Sequence, residues 1–185
     1  SAPSVTVIIG TDSVCVGSTA VVYTVSSQAG VNYSWTVPTG VTITGGQGTN
    51  SITTTWSSSA VSGNVGVILS NACGNRTATL GVLVETAPTG PTVSGSATVC
   101  KGQSGVVYST TIQAGVNYTW TVPSGVTITS GQGTNSISTT WGATSVSGNV
   151  LVTLSSACGT TSGSRIVTVN ATPTISSFSP SSGTP

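Results

Sequence analysis

Residues 28–56 read QAGVNYSWTVPTGVTITGGQGTNSITTTW, and residues 113–141 repeat them almost unchanged as QAGVNYTWTVPSGVTITSGQGTNSISTTW. The offset of 85 residues (113 − 28) also separates Cys15 from Cys100 and Cys73 from Cys158. A repeat of this length is large enough to fold as an independent β domain. We therefore expect one domain over residues 1–88 and a second over 89–173, followed by a linker or the start of a third domain over 174–185.

Within each copy, apolar residues alternate with polar ones, and Gly, Pro, Asn and Ser interrupt the pattern at short intervals. A period of two with frequent turn residues predicts short β-strands and no helix. In the first copy the predicted strands are residues 5–9, 21–25, 33–37, 41–43, 52–56, 65–69 and 80–84, with Val5, Val7 and Ile9 alternating along the first. Seven short strands per copy are typical of an immunoglobulin-like β-sandwich, so the expected fold is all-β with two tandem sandwiches.

Charged side chains are rare, because three Lys or Arg and two Asp or Glu make up only 3% of the chain, and histidine is absent. Without histidine neither domain can build a Ser-His-Asp triad, and two acids in the whole chain argue against a pair of glycosidase carboxylates. Three scattered cations cannot hold a nucleic-acid backbone, and no apolar run is long enough to span a bilayer. Asp12 and Glu85 are too few for a calcium site. The sequence argues against an enzyme, nucleic-acid binding and membrane insertion, and indicates no metal or cofactor.

Large aromatic side chains recur at fixed positions of the predicted strands. Residues in the middle of a strand occupy the position where a sandwich places an aromatic ring between its sheets. The aromatic residues expected in the core are Trp35, Trp120, Tyr23 and Tyr108. By contrast, Trp56 and Trp141 end their strands before a Ser-rich loop. They are either core residues or exposed platforms that contact surface glycans.

Each copy contains two cysteines that are 58 residues apart (73 − 15). An even count in each domain, without C-x-x-C spacing or histidine, favours disulfides over a zinc site. We expect a Cys15–Cys73 bridge and a Cys100–Cys158 bridge, each clamping loops at one end of its sandwich. Disulfides persist in oxidising compartments, so these bridges indicate a protein outside the cytoplasm.

The glycine-rich segment GQGTNSI occurs at residues 46–52 and again at 131–137. It has only a superficial likeness to a phosphate-binding loop, because the lysine and the following helix are missing. We interpret it as a turn that leads into a strand.

Both copies keep the same order of motifs, given in the first copy by SVCVGSTAVVYTV, VNYSWTVPTGVTIT, GQGTNSITTTW and SGNVGVILSNACGN. This order resembles the PKD-like immunoglobulin-fold repeats of large secreted and cell-surface proteins of Bacteroidota, and the likeness covers nearly the whole chain. The tail TPTISSFSPSSGTP resembles the opening of an IPT/TIG-like module. The resemblance implies an exported adhesin-type or stalk protein, whose partners are the other domains of a longer chain.

The resemblance also implies O-glycosylation, since proteins of that phylum carry glycans on Ser or Thr that follows Asp and precedes a small or apolar residue. Asp12-Ser13-Val14 fits this pattern and makes Ser13 a candidate acceptor. The second copy has Ala97 in place of the Asp, so Thr98 is expected to be unmodified.

Three functions are compatible with the sequence. The first is a structural module of a bacterial cell-surface adhesin or stalk. The second is a self-assembling subunit of an extracellular filament, a homopolymer, because a surface near zero net charge lacks repulsion and uncharged strand edges pair with other chains. The third is a carbohydrate-binding module that contacts glycans through Trp56 and Trp141.

Overall fold

The computed structural model describes residues 1–4, 7–171 and 173. Within these residues the chain forms β-strands and no helix. It divides into two compact units, Ser1–Ala87 and Pro88–Pro185, so the division falls one residue before the predicted boundary. The predicted third region from Thr174 onward and Val5 of the predicted first strand lie outside the described residues.

The described part of the first unit has seven strands. They are β1 (Ser13–Cys15), β2 (Val21–Thr24), β3 (Asn32–Thr36), β4 (Val41–Gly45), β5 (Ser51–Trp56), β6 (Gly63–Asn71) and β7 (Gly74–Glu85). One sheet has the order β1-β7-β6-β3 and the other β2-β5-β4. Strand β1 runs parallel to β7, whereas the other pairs are antiparallel. The inner faces of the two sheets share one hydrophobic core, so the unit is a β-sandwich.

The second unit repeats this architecture over its described residues. Its strands are β8 (Ser94–Gly95), β9 (Thr98–Cys100), β10 (Val106–Ser109), β11 (Asn117–Thr121), β12 (Val126–Ser130), β13 (Ser136–Trp141), β14 (Gly148–Ser156) and β15 (Gly159–Asn170). The sheets have the orders β12-β13-β10-β8 and β11-β14-β15-β9, and β9 runs parallel to β15. The predicted all-β fold of two tandem immunoglobulin-like sandwiches is therefore confirmed.

The period of two decides which side chains enter each core. In β5 the side chains of Ile52, Thr54 and Trp56 are buried while the residues between them are partly exposed. In β3 the same alternation buries Tyr33 and Trp35. Successive strand residues point to opposite faces, so one face of each strand supplies the core and the other faces solvent.

The chain before β1 differs from the prediction. Val7 and Ile9 are 75% and 67% exposed, whereas Ile8 between them is buried. Ile9 forms only an isolated bridge with Thr24. The predicted first strand over residues 5–9 is therefore wrong over its described residues, 7–9, which form no strand. The strand that joins the sheet here is β1, which is too short at three residues to show an alternating pattern.

Candidate functional site

The two cysteines of the first unit lie at opposite ends of β7. Cys15 is the register partner of Glu85, the last residue of β7, whereas Cys73 directly precedes Gly74, its first residue. A twelve-residue strand spans about 35 Å. Because a disulfide requires Cα atoms within about 7 Å, the predicted Cys15–Cys73 bridge is wrong.

The second unit has the same arrangement. Cys100 pairs with Asn170 at the end of β15, and Cys158 directly precedes Gly159 at its beginning. The predicted Cys100–Cys158 bridge is therefore also wrong. Both predictions failed for one reason: the short parallel strands β1 and β9 escaped pattern recognition, and they carry one cysteine of each unit to the far end of the long strand.

We call Cys15 and Cys100 the strand-end cysteines, and Cys73 and Cys158 the hairpin cysteines. In the first unit the strand-end cysteine is disulfide-bonded and the hairpin cysteine is a free, exposed thiol. In the second unit the states are reversed, because Cys158 is disulfide-bonded and Cys100 is a free, exposed thiol. Each of the two positions therefore carries a disulfide in one unit and a free thiol in the other.

The hairpin cysteine sits on a tight turn. Asn71 and Gly74 are paired across the β6–β7 hairpin, which leaves Ala72 and Cys73 as its two turn residues. The backbone N–H of Cys73 donates to Asn71 Oδ1 at 2.9 Å, and the side-chain amide of Asn71 donates to the Ser1 carbonyl at 2.9 Å. The turn is thus fixed by its own side chains, and the beginning of the unit lies beside it.

The strand-end cysteine is equally well positioned. Cys100 ends β9, and its backbone N–H donates to Gln103 Oε1 at 2.9 Å. The Lys101 N–H donates to the Asn170 carbonyl at 3.1 Å, which ties the following turn to the end of β15. The thiol is therefore presented from ordered backbone at the end where the chain leaves the unit.

The tryptophans considered as glycan platforms are inaccessible. Trp56 and Trp141 are both 0% exposed. The Trp56 indole N–H donates to the buried Thr54 hydroxyl at 3.0 Å, and that hydroxyl donates to the Val21 carbonyl at 3.0 Å. A ring without exposed surface cannot stack on a sugar, so the assignment of Trp56 and Trp141 as glycan contacts is wrong.

The remaining aromatic candidates lie in the cores, as the sequence analysis expected. Trp35 and Trp120 are each 3% exposed, and Tyr23 and Tyr108 are fully buried. The Tyr23 and Trp56 ring centroids are 6.4 Å apart with a tilt of 53° between the planes, within the range of favourable aromatic pairs. These side chains therefore fill the interior and leave no aromatic surface at these positions.

Burial has a chemical consequence for the tyrosines. The hydroxyls of Tyr23 and Tyr108 have no hydrogen-bond partner among the described residues. Desolvation raises the pKa of Tyr23 from 10.0 to about 12. Desolvation also raises the pKa of Tyr108, and the positive charge of Arg165 opposes this rise. Both phenols are held neutral inside the protein at ordinary pH.

The repeated glycine-rich segment has a structural task that the sequence analysis missed. The Gln47 side chain accepts a hydrogen bond from the Trp35 N–H at 2.9 Å and donates one to the Trp35 carbonyl at 3.0 Å. Gln132 makes the same two bonds to Trp120, each at 3.0 Å. Because β3 and β11 are edge strands, one glutamine occupies the place of a neighbouring strand in each unit. The exact recurrence of GQGTNS was the signal for this role.

Ser13, the candidate glycosylation site, begins β1 and is half-buried. It lies in an open groove whose other lining residues are Asp12, Ser62, Gly63, Asn64, Gly81, Val82 and Leu83. The equivalent Thr98 is exposed in the second unit. Modification of Ser13 stays a prediction.

The described residues contain no cluster of three or more His, Cys, Asp or Glu side chains that could hold a metal ion. This part of the chain also contains no helix that is long and apolar enough to cross a membrane.

Several solved structures have a similar fold. The titin I-band fragment I67–I69 superposes with a TM-score of 0.60 at 15% identity, over 90% of this chain and 64% of the titin fragment. Murine CEACAM1b has a TM-score of 0.56 at 13% identity, over 89% of this chain and 98% of its own. Extracellular domains 3–5 of Drosophila OTK have a TM-score of 0.57 at 13% identity, over 92% of this chain and 61% of theirs. The chain thus spans less than two thirds of the titin and OTK fragments, and at these identities the likeness concerns the fold alone.

No curated protein matches the sequence at a significant level. A family profile, however, matches both repeats, over residues 1–84 and 86–169. These two matches correspond to the two sandwiches and include all four cysteines and the edge-covering glutamines. The chain belongs to the PKD-like domain family, with two tandem copies of that domain.

Proposed function

We propose that this chain is a non-enzymatic structural segment of an extracellular cell-surface protein, where its sandwiches serve as a spacer or stalk in an adhesin-type assembly. One observation carries the proposal: the repeated aromatic residues face inward, and each unit presents one free, exposed cysteine at one of its ends. A module arranged in this way is suited to connection and not to chemistry on a substrate.

The cysteines also support the extracellular location. Cys15 and Cys158 are disulfide-bonded. Disulfides form and persist outside the reducing cytoplasm. The small number of charged side chains is compatible with an extracellular location. The hydroxyl and amide groups of Ser, Thr and Asn can hydrate the surface of the sandwich without charged groups.

A second candidate function is a subunit of an extracellular filament. The free and exposed thiols of Cys73 and Cys100 favour it, because each unit thereby offers one site for a covalent joint to another chain. A net charge of +1 adds little repulsion between neighbouring copies. The edge-covering glutamines reduce the scope for strand addition at β3 and β11, so a joint through thiols is the better-supported route.

The structural role can be tested in the protein that carries this segment. One variant deletes residues 1–173, and a second replaces them with two unrelated immunoglobulin-like domains. A membrane-impermeant label on intact cells measures surface exposure, and immunogold electron microscopy measures the distance of a downstream tag from the cell surface. A spacer predicts that deletion shortens this distance and that the replacement restores both the distance and the protein's cellular activity. If an exported, folded replacement fails to restore activity, the repeats have a specific function and the proposal is wrong.

A further inference from the structure

We propose that Cys73 and Cys100 are linking cysteines, which join repeats of different copies of this chain head to tail through disulfides between a hairpin cysteine and a strand-end cysteine. The inference rests on the proposed extracellular structural function, because it needs an oxidising environment. It specifies the partner as a second copy of this chain.

The first support is the disulfide state of the equivalent residues. Cys158 is the repeat equivalent of Cys73, and Cys15 is the repeat equivalent of Cys100. Both equivalents are disulfide-bonded, whereas Cys73 and Cys100 are free and exposed. Each free thiol therefore occupies a position that the same fold uses for a disulfide in its other copy.

The second support is the geometry within a unit. The strand-end and hairpin positions are separated by the length of β7 in the first unit and of β15 in the second. A bridge between two cysteines of one unit is thus excluded by about 35 Å of strand. A free cysteine in either unit needs a partner from elsewhere.

The third support is the way in which the chain enters and leaves a unit. Ser1 is hydrogen-bonded to Asn71 beside the hairpin, so the chain enters at the end with the hairpin cysteine. In the second unit the start of the chain likewise lies beside β15, where a Cβ on Gly163 would overlap the Pro91 carbonyl. The strand-end cysteine lies at the exit, beside Glu85 or Asn170. Repeats of two different copies that meet exit to entrance bring opposite cysteine types together.

The number and type of free thiols then determine the kind of assembly. The chain has one free hairpin thiol and one free strand-end thiol. A joint between unlike positions is heterologous, and a heterologous joint that does not close into a ring adds subunits in one direction without limit. The expected product is a linear covalent polymer and not a closed dimer.

The joining step is an ordinary thiol–disulfide exchange. The Cys73 thiolate of one copy attacks a low-molecular-weight disulfide oxidant, forms a mixed disulfide and releases one thiolate of the oxidant. The Cys100 thiolate of a second copy then attacks the Cys73 sulfur and releases the other thiolate. Two protein thiols become one disulfide with loss of two protons, and the two electrons reduce the oxidant to two thiols.

The test uses the 185-residue protein with oxidised glutathione as the oxidant. Arg76 and Lys101 lie close in sequence to the two thiols, so salt is added to screen their charges. The wild type is compared with Cys73→Ser, Cys100→Ser, the double variant and an equimolar mixture of the two single variants. One single variant carries a mass tag, so that non-reducing electrophoresis and intact mass distinguish mixed dimers from like dimers.

The wild type should form a ladder that extends beyond the dimer and collapses on reduction. The mixture should stop at dimers, with the mixed dimer above its statistical share, and the double variant should stay monomeric. The proposal is overturned if the wild type stays monomeric, whether with two free thiols or with an internal Cys73–Cys100 bond, or if each single variant alone dimerises as well as the mixture. None of these outcomes affects the spacer test, which depends on the replacement experiment.

Discussion

Gln47 covers the free edge of Trp35 with two hydrogen bonds, one to its N–H at 2.9 Å and one to its carbonyl at 3.0 Å. A single side-chain amide therefore satisfies both backbone groups that would otherwise be open to another strand. The second unit repeats the arrangement between Gln132 and Trp120. The same two hydrogen bonds therefore stabilise each sandwich and block the addition of another strand at this point of its edge.

Substitution of Gln47 should weaken the first unit. Gln47→Ala removes two neutral hydrogen bonds and should lower the free energy of unfolding by about 1–3 kcal/mol. Gln47→Glu keeps an acceptor for the Trp35 N–H but loses the donor to the carbonyl, so it should also destabilise. Hydrogen exchange of β3 amides measures the effect, with the unchanged β11 as the internal reference. Equal protection of β3 and β11 in Gln47→Ala would contradict the role of the side chain.

The buried Thr54 hydroxyl should contribute to stability through its two hydrogen bonds. Thr54→Val keeps the shape but leaves the Trp56 indole N–H and the Val21 carbonyl without this partner. The expected loss is about 1–3 kcal/mol in the free energy of unfolding, and Trp56→Ala should cost about 3–5 kcal/mol. Denaturant unfolding measures both, with the half-exposed Val61→Ala as a near-neutral control. A fully stable Trp56→Ala protein would contradict the buried position of this ring.

Removal of the hydroxyl should change the free energy of unfolding in opposite directions at Tyr23 and Tyr33. The buried Tyr23 hydroxyl has no partner among the described residues, so Tyr23→Phe should raise the free energy of unfolding by about 1 kcal/mol. The Tyr33 hydroxyl accepts from the Gln28 N–H at 2.7 Å, so Tyr33→Phe should lower it by about 1 kcal/mol. Thermal unfolding at neutral pH compares the two variants. A loss of stability in both would contradict the prediction that Tyr23→Phe stabilises the first unit.

Tyr23 should also make the first unit sensitive to alkali. Its pKa is raised from 10.0 to about 12 in the folded protein. Between these values the unfolded chain releases the proton while the folded unit retains it, so stability falls as the pH rises through this window. The slope from this residue is about 1.4 kcal/mol per pH unit. Unfolding measured across the window should show a smaller alkaline loss for Tyr23→Phe than for the wild type, and identical profiles would contradict the prediction.

Two glycines of the turn before β5 provide a matched steric test. Gly46 and Gly48 both have positive φ, at 83° and 89°. A Cβ on Gly46 would overlap the Ser51 carbonyl oxygen, whereas a Cβ on Gly48 would meet open space. Both alanine variants bear the conformational cost of about 1–2 kcal/mol, and Gly46→Ala should lose about 1–3 kcal/mol more through the overlap. Equal unfolding midpoints for the two variants would show that the turn relaxes around the added methyl group.

The sequence allowed prediction of those parts of the fold that depend on local pattern. Alternation placed Ile52 and Trp56 on the same face of β5, and the constant offset separated the two domains. It failed where a strand was too short to alternate, at Ser13–Cys15. Both cysteines of the unit were therefore expected at one end of the sandwich, whereas they lie at opposite ends of β7. Parallel pairing between distant segments leaves no local signal, so only the folded chain reveals that Cys15 and Cys73 lie far apart.

The candidate site was predicted less completely for a related reason. A tryptophan at the end of a strand has the same sequence appearance whether the adjoining loop covers it or not, so Trp56 could be assigned to either the core or the surface. The role of Gln47 depends on a contact across twelve residues between a loop and an edge strand. Repetition indicated that the segment matters, but only the geometry identified Trp35 as its partner.

The central claim is that the cysteines of these sandwiches connect repeats and do not close individual domains. Disulfide mapping by mass spectrometry of the native protein, digested without reduction, tests it most directly. Pepsin is suitable, because trypsin has sites only at Arg76, Lys101 and Arg165 and would leave Cys15 and Cys73 on one peptide. The account predicts that peptides containing Cys73 and Cys100 are linked to cysteine peptides of other repeats, with no Cys15–Cys73 or Cys100–Cys158 species. Recovery of those two intradomain species as the main products would contradict it.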